Sequence, residues 1–163
     1  QKRKHVHRWR LPTPRGRPQM LYRLTDRAHE LFPVASNVMT LQLLTAAQGL
    51  FGGTAADKLL LVVFQKMQTD YAARLPAAET VVRAERLAKI RDDDGYMSVL
   101  EKSPKGLTIV EHHSPILDVL RAYPMVAKLE LEMFQRLLGV AVRREEQNAS
   151  GLYKATFHLN GTS

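Results

Sequence analysis

Apolar residues recur about every fourth position in the first half of this chain and every second position just after Gly95. That switch of period restricts the fold more than any other feature, because a helix buries one side with a period near 3.6 and a strand with a period of two. Val38, Leu41, Leu44 and the Ala46/Ala47 pair predict a helix from Asn37 to Leu50, stopped by Gly52-Gly53. Thr54, with Asp57 three residues on, has the pattern of a capping box and predicts a second helix running to about Leu75, before Pro76. The middle of this second helix, Leu59 to Phe64, is apolar all round. It therefore lies at the heart of the domain or meets a second copy of the chain; the second option is preferred, since two-fold DNA binders pair through such helices. A third helix is expected from Ala77 to about Arg91, with Val81, Val82, Leu87 and Ile90 inward. Beyond Gly95, Tyr96 to Glu101 and Leu107 to His112 read as strands joined by Ser103-Pro104-Lys105-Gly106, whose proline and glycine suit a type I turn. Ile116 to Ala122 reads as a short helix. Pro124 opens another to Leu138, with Val126, Met133, Phe134 and Leu137 on its apolar side and Gly139 at its end. Val140 to Glu145 and Leu152 to His158 complete a second hairpin around Asn148-Ala149-Ser150-Gly151. The expected class is α+β, with an antiparallel sheet covered on one face.

The first 33 residues have a different character. Two short alternating runs, Val6 to Leu11 and Met20 to Leu24, flank a loop in which Pro12, Pro14, Gly16 and Pro18 exclude a helix or central strand. This predicts a hairpin with a long basic tip. Alternation puts Trp9 and Leu11 on one side of the first run and Arg8 and Arg10 on the other, while Met20, Tyr22 and Leu24 form the apolar set of the second run and Arg23 opposes them. One face is expected to pack and the other to be charged. At the tip, Gly16 lets the backbone approach closely, and the guanidiniums of Arg15 and Arg17 suit a narrow, electronegative minor groove. Such a hairpin resembles the wing of a winged helix-turn-helix module. Thr25 is placed to cap a following helix from Asp26 that stops before Pro33. In a winged module the recognition helix precedes the wing, so that helix is expected upstream of Gln1. Residues 1–33 are then the C-terminal part of a DNA-binding domain, and residues 34–163 form a dimerisation and sensor domain.

Charge separates the same two regions. Residues 1–27 hold nine Lys or Arg and one acid, Asp26, a net +8, whereas the remainder holds 15 bases and 15 acids. The whole net charge belongs to the arm, as expected if one end of the molecule meets a polyanion. Lys2, Arg3, Lys4, Arg8, Arg10 and Arg23 are the candidate phosphate contacts, and Arg15, Gly16 and Arg17 the candidate groove contacts. The chain contains no cysteine, which excludes disulfides and thiolate metal sites and fits a cytoplasmic protein. No apolar run has the length of a membrane span, and the start has no signal-peptide pattern.

Little points to catalysis or to a metal. Asp92-Asp93-Asp94-Gly95 with Glu101 has the outline of a calcium loop, but with Gly95 in sixth place the first ligand would be Ile90, which cannot coordinate a hard cation. The stretch reads as a solvated acidic turn. His112 and His113 are adjacent on a strand and so point to opposite faces, away from a shared ion. No Ser/His/Asp arrangement, phosphate loop or dinucleotide fingerprint occurs at a meaningful spacing. The expectation is a protein that is not an enzyme and binds no resident cofactor.

The blocks GRPQMLYRLTDRAHELFP, LQLLTAAQGLFGG, GLTIVEHHSPI, AYPMVAKLELEMFQRLLG and NASG together resemble the SufR-type transcriptional regulators of the DeoR/ArsR-like group. The similarity runs from the wing to the C-terminal end, and the Gly-Arg-Pro to Leu-Phe-Pro and Glu-His-x-x-Pro blocks are its most specific parts. The resemblance implies a homodimeric repressor with an N-terminal winged helix-turn-helix and a C-terminal sensing domain that holds an iron–sulfur cluster through cysteines. The ligands depart from that pattern. Ser114 stands where the family has the cysteine of its Glu-His-Asn-Cys-Pro motif, Ala127 replaces the cysteine after Tyr-Pro, and Gln147 and Ala155 fall near the other two places. Serine, alanine and glutamine side chains do not hold such a cluster.

The expected function is therefore a dimeric winged-helix regulator of transcription, probed through its double-stranded DNA partner. The alternative is a sensor or protein-interaction module, in which a pocket between the sheet and the helix from Pro124 to Leu138 takes a small apolar effector and the arm recruits an acidic partner.

Overall fold

The computed structural model describes residues 6–11, 19–24, 35–104, 106–149 and 152–160. The chain divides into two units, Gln1–Val38 and Met39–Ser163. In the first, β1 (Val6–Leu11) and β2 (Gln19–Leu24) pair antiparallel, with Val6 opposite Leu24 and Leu11 opposite Gln19. The expected helix from Asp26 lies outside the described residues, as do Lys105 and the Ser150-Gly151 hairpin tip.

Three helices come next: α1 (Ala35–Phe51), α2 (Ala55–Arg74) and α3 (Thr80–Arg91). Thr54 stands at the N-terminal boundary of α2, as its sequence position suggests, but its side chain makes no capping hydrogen bond. Its φ of −91° and ψ of 1° leave the extended geometry that aims a capping oxygen at the first turn. Helix α3 starts three residues later than expected, since Glu79 is extended. Its inward face is Ala84, Leu87, Ala88 and Arg91, a run at i, i+3, i+4 and i+7. Val82 is exposed instead of inward, because two residues before Ala84 is more than half a turn away around the helix.

A π-helical turn, Asp92–Tyr96, follows α3 directly and delays β3 to Ser98–Ser103, so Tyr96 closes the turn and does not open the strand. After β4 (Gly106–Glu111) come α4 (Leu117–Ala122) and α5 (Met125–Leu138), and the chain finishes on β5 (Val142–Ala149) and β6 (Leu152–Leu159). Gly139 ends α5 in the left-handed conformation, φ 73°, and its N–H donates to the Gln135 carbonyl at 2.8 Å. The last hairpin is longer than the alternation suggested, since Asn148 pairs with Tyr153 and Ala149 with Leu152.

Strands β3, β4, β6 and β5 form one antiparallel sheet in that order. The architecture is α+β, and the core lies between one sheet face and the helices. Ile109 and Phe157 on that face meet Phe134 of α5, whose ring stacks on Phe157 with centroids 4.0 Å apart. Val126, Met133, Phe134 and Leu137, the expected apolar side of α5, are all buried. The opposite sheet face is polar for the most part, with Thr108 and Glu145 contacting His158, and Val99 half exposed. Among the described residues no helix is long and apolar enough to cross a membrane.

Candidate functional site

Two places in the chain concentrate charge, the first hairpin and the interior of the second unit. In the hairpin, Arg8 and Arg10 lie on β1 and Arg23 on β2. Lys2, Arg3, Lys4, Arg15, Gly16 and Arg17 lie outside the described residues. The register pairs Arg8 with Tyr22, Arg10 with Met20, Trp9 with Leu21 and His7 with Arg23. Directly opposed residues in an antiparallel pair share a face. Positions 8 and 10 therefore share a face with 20 and 22, and the expected division into one packing and one charged face does not follow from this ladder. Alternation within each run fixed the two faces of each strand but not which face of one strand matches which face of the other, since that depends on the register.

Inside the second unit, Arg91 is fully buried at the end of α3. Its Nε donates to Glu111 Oε1 at 2.7 Å, and its Nη2 donates to Glu111 Oε2 at 2.8 Å and to Glu130 Oε1 at 2.5 Å. Its guanidinium carbon lies 3.2 Å from the centre of the Tyr96 ring, and the Phe134 ring closes another side at 5.3 Å. Arg144 of β5 completes the cluster, donating from Nε to Glu130 Oε2 at 3.3 Å and from Nη2 to the Tyr153 hydroxyl at 2.9 Å. Two guanidiniums face two buried carboxylates, which is the neutral pairing that a dry interior requires. The cluster joins α3, β4, α5, β5 and β6.

Its electrostatics follow from burial. Burial pushes the Glu111 carboxyl up to about 7, working against the pull of Arg91, and the Glu130 carboxylate pushes the same way. Burial opposes the charge on Arg91, but Glu130 and Glu111 outweigh it and hold the guanidinium well above its ordinary value. Tyr96 is pushed up to about 12, chiefly by burial, and Tyr153 is raised by the same cause. The Oγ atoms of Ser98 and Ser114 and Nη1 of Arg91 are buried without a hydrogen-bond partner among the described residues. Ser98 stands directly opposite Glu111 across β3 and β4.

None of these charged residues was singled out from the sequence, though each carries a signal. Glu130 lies within the apolar stripe of α5, between Val126 and Met133; Arg91 continues the Ala84, Leu87, Ala88 run; Glu111 continues the alternation of Leu107 and Ile109. A charge at a position that the period marks as apolar is a buried ion pair or a functional group.

The four positions aligned with cluster ligands do not make a metal site. Ser114 is buried in the loop after β4, Ala127 is in the first turn of α5, and Gln147 and Ala155 are on β5 and β6. Ala155 pairs with Glu146 and Gln147 with Lys154, so Gln147 and Ala155 belong to opposite faces of the sheet. With no thiolate in the chain, this donor set does not suit an iron–sulfur cluster. Among the described residues no group of three His, Cys, Asp or Glu could hold a metal ion. The strand ends at Glu111, and the His112 and His113 amides donate to the Met97 and Tyr96 carbonyls. Asp92, Asp93, Asp94 and Gly95 are exposed, as expected of a solvated acidic turn, and two of its carboxylates are also paired: Asp94 accepts from the Tyr71 hydroxyl at 2.5 Å and Asp93 from Lys89 at 2.7 Å.

The pocket expected between the sheet and α5 is filled by the Phe134–Phe157 stack and the Arg91 cluster. A small opening of about 60 Å³ lies on the other side of α5, against α2, lined among others by Leu61, Phe64, Gln68, Met133 and Arg136. It has room for about two waters, well below the ~300 Å³ of an ordinary small-molecule site. No family model matches this chain, and no curated protein or solved structure is significantly similar to it.

Proposed function

We propose that this chain belongs to a SufR-like transcription regulator, and that its first hairpin is a wing that binds double-stranded DNA. The observation that carries the reading is the charge distribution: a net +8 within residues 1–27 and none in the rest. A basic antiparallel ribbon places cations along a phosphate backbone with no need for a pocket, whereas a neutral domain has no such attraction. Arg15 and Arg17 enter the minor groove, and Lys2, Arg3, Lys4, Arg8, Arg10 and Arg23 contact phosphates. The second unit acts as a sensor and dimerisation domain of a cytoplasmic repressor and is not an enzyme. The 60 Å³ opening gives the small-ligand alternative no particular support.

Salt dependence tests the assignment. Each neutralised phosphate contributes about −0.9 to the slope of log affinity against log salt. Replacing Arg15 and Arg17 by alanine flattens the slope by about 1.8 if both make such contacts; an unchanged slope rules out the wing.

A further inference from the structure

Three of the buried side-chain atoms that have no hydrogen-bond partner among the described residues belong to neighbours in the Arg91 cluster: Nη1 of Arg91 and the Oγ atoms of Ser98 and Ser114. These residues are 0%, 4% and 2% exposed. A fourth such atom, Nε of Arg83, belongs to a part-exposed side chain that reaches the Leu137 carbonyl instead. The backbone brings the three together. Ser98 stands opposite Glu111 on the first rung between β3 and β4, and the pairing runs on past the strands, since the His112 amide donates to the Met97 carbonyl and the His113 amide to the Tyr96 carbonyl. Tyr96, Ser98, Glu111 and Ser114 are buried along this stretch, whereas Met97 and His112 are exposed, so the first four turn to the interior. Arg91 meets them from α3. Its guanidinium lies on the Tyr96 ring and holds Glu111 through Nε and Nη2, and Nη2 also serves Glu130, which leaves the N–H groups of Nη1 unused.

We propose that Arg91 Nη1 and the hydroxyls of Ser98 and Ser114 line an internal site for bound water, which bridges the guanidinium to the two serines. Buried polar groups in native proteins are for the most part satisfied, because a donor that leaves water and finds nothing loses the whole of its hydration. The lining selects the occupant. An anion would meet Arg91 together with the Glu111 and Glu130 carboxylates that Arg91 already balances, and a cation would be repelled by the guanidinium. An apolar molecule would leave all three groups unsatisfied. A guanidinium only donates and a hydroxyl can do either, so the fitting molecule is small, neutral, and both donor and acceptor; water is the smallest. Bound there, it carries the hydrogen bonding of the cluster on to the start of β3 and the loop after β4, which the contacts of Arg91 with Glu111 and Glu130 do not reach. The site lies within the second unit and does not depend on whether the hairpin binds DNA.

Magnetic relaxation dispersion of the water oxygen, recorded on the full chain, counts long-lived internal waters. Its amplitude falls by about one water per chain in Ser98→Val with Ser114→Val, whose methyl groups fill the space and offer no hydrogen bond. Thr156→Val, on the opposite face of the sheet, keeps the wild-type amplitude. Alanine variants give a second readout, which holds even if the double variant does not fold. Removing a buried hydroxyl that has no partner stabilises a protein, whereas removing one that water bridges destabilises it. Ser98→Ala and Ser114→Ala each raise the unfolding equilibrium constant, by roughly two- to tenfold. An unchanged amplitude in the folded double variant, or alanine variants more stable than the wild type, overturns the proposal. So does a melting temperature that rises with chloride in the wild type and not in the serine variants, which would assign the site to an anion.

Discussion

Arg91 and Glu111 are joined by two parallel hydrogen bonds of 2.7 and 2.8 Å, both side chains fully buried, with Glu130 taking a third donor contact from the same guanidinium. A planar fork meeting a carboxylate this way fixes the angle between α3 and the end of β4 as well as their distance.

Removing the cation leaves two carboxylates in the interior with only Arg144 beside them. Arg91→Met is expected to cost about 3–5 kcal/mol of unfolding free energy, the usual result of stripping one partner from a buried pair. Glu111→Gln keeps an acceptor for Arg91 and leaves Glu130 to balance it, so its cost is smaller. Urea denaturation of the three proteins checks both the size and the order.

The same pair sets a pH dependence. Burial raises the Glu111 carboxyl of the folded chain above its ordinary value of 4.5, which the unfolded chain keeps. Between the ordinary value and the raised one the folded chain holds a proton that the unfolded chain has released, so stability falls as pH rises through that window. Glu145 and Asp93, whose carboxyls are lowered by Arg143 and Lys89, act in the opposite sense and below that window. Denaturation midpoints at about pH 5 and about pH 7 should differ for the wild type and come together in Glu111→Gln.

Two glycines respond in opposite ways to alanine. Gly49 lies within α1 with open space where a Cβ would be, so Gly49→Ala stabilises by about 0.5–1 kcal/mol. Gly139 has equally open surroundings but a φ of 73°, so Gly139→Ala destabilises by about 1 kcal/mol through backbone strain alone. Thermal melts of the two variants give the signs.

Much of the fold was legible because it rests on local patterns. The apolar side of α5, its stop at Gly139 and the pairing of β3 with β4 each depend on residues a few positions apart. The parts that were not legible depend on distant partners. Val82 turns outward because α3 is oriented by Ala84, Leu87 and Arg91 against elements far along the chain. The faces of the first hairpin depend on the pairing of Arg8 with Tyr22, which neither strand reveals alone. Arg91, Glu111 and Glu130 each stand at a position whose period is apolar, but which of them pair depends on contacts between elements far apart in the chain. For the wing, charge and turn residues carry the sequence signal, and binding remains the property to measure.

The most direct measurement is the fluorescence anisotropy of a labelled random duplex at low salt, titrated with the whole chain and, separately, with the Met39–Ser163 unit. The whole chain is expected to bind with an affinity that falls steeply with salt, and the shorter unit, with 15 bases against 14 acids, to bind negligibly. Equal binding by the two, or no binding by the whole chain at low salt, would contradict the account.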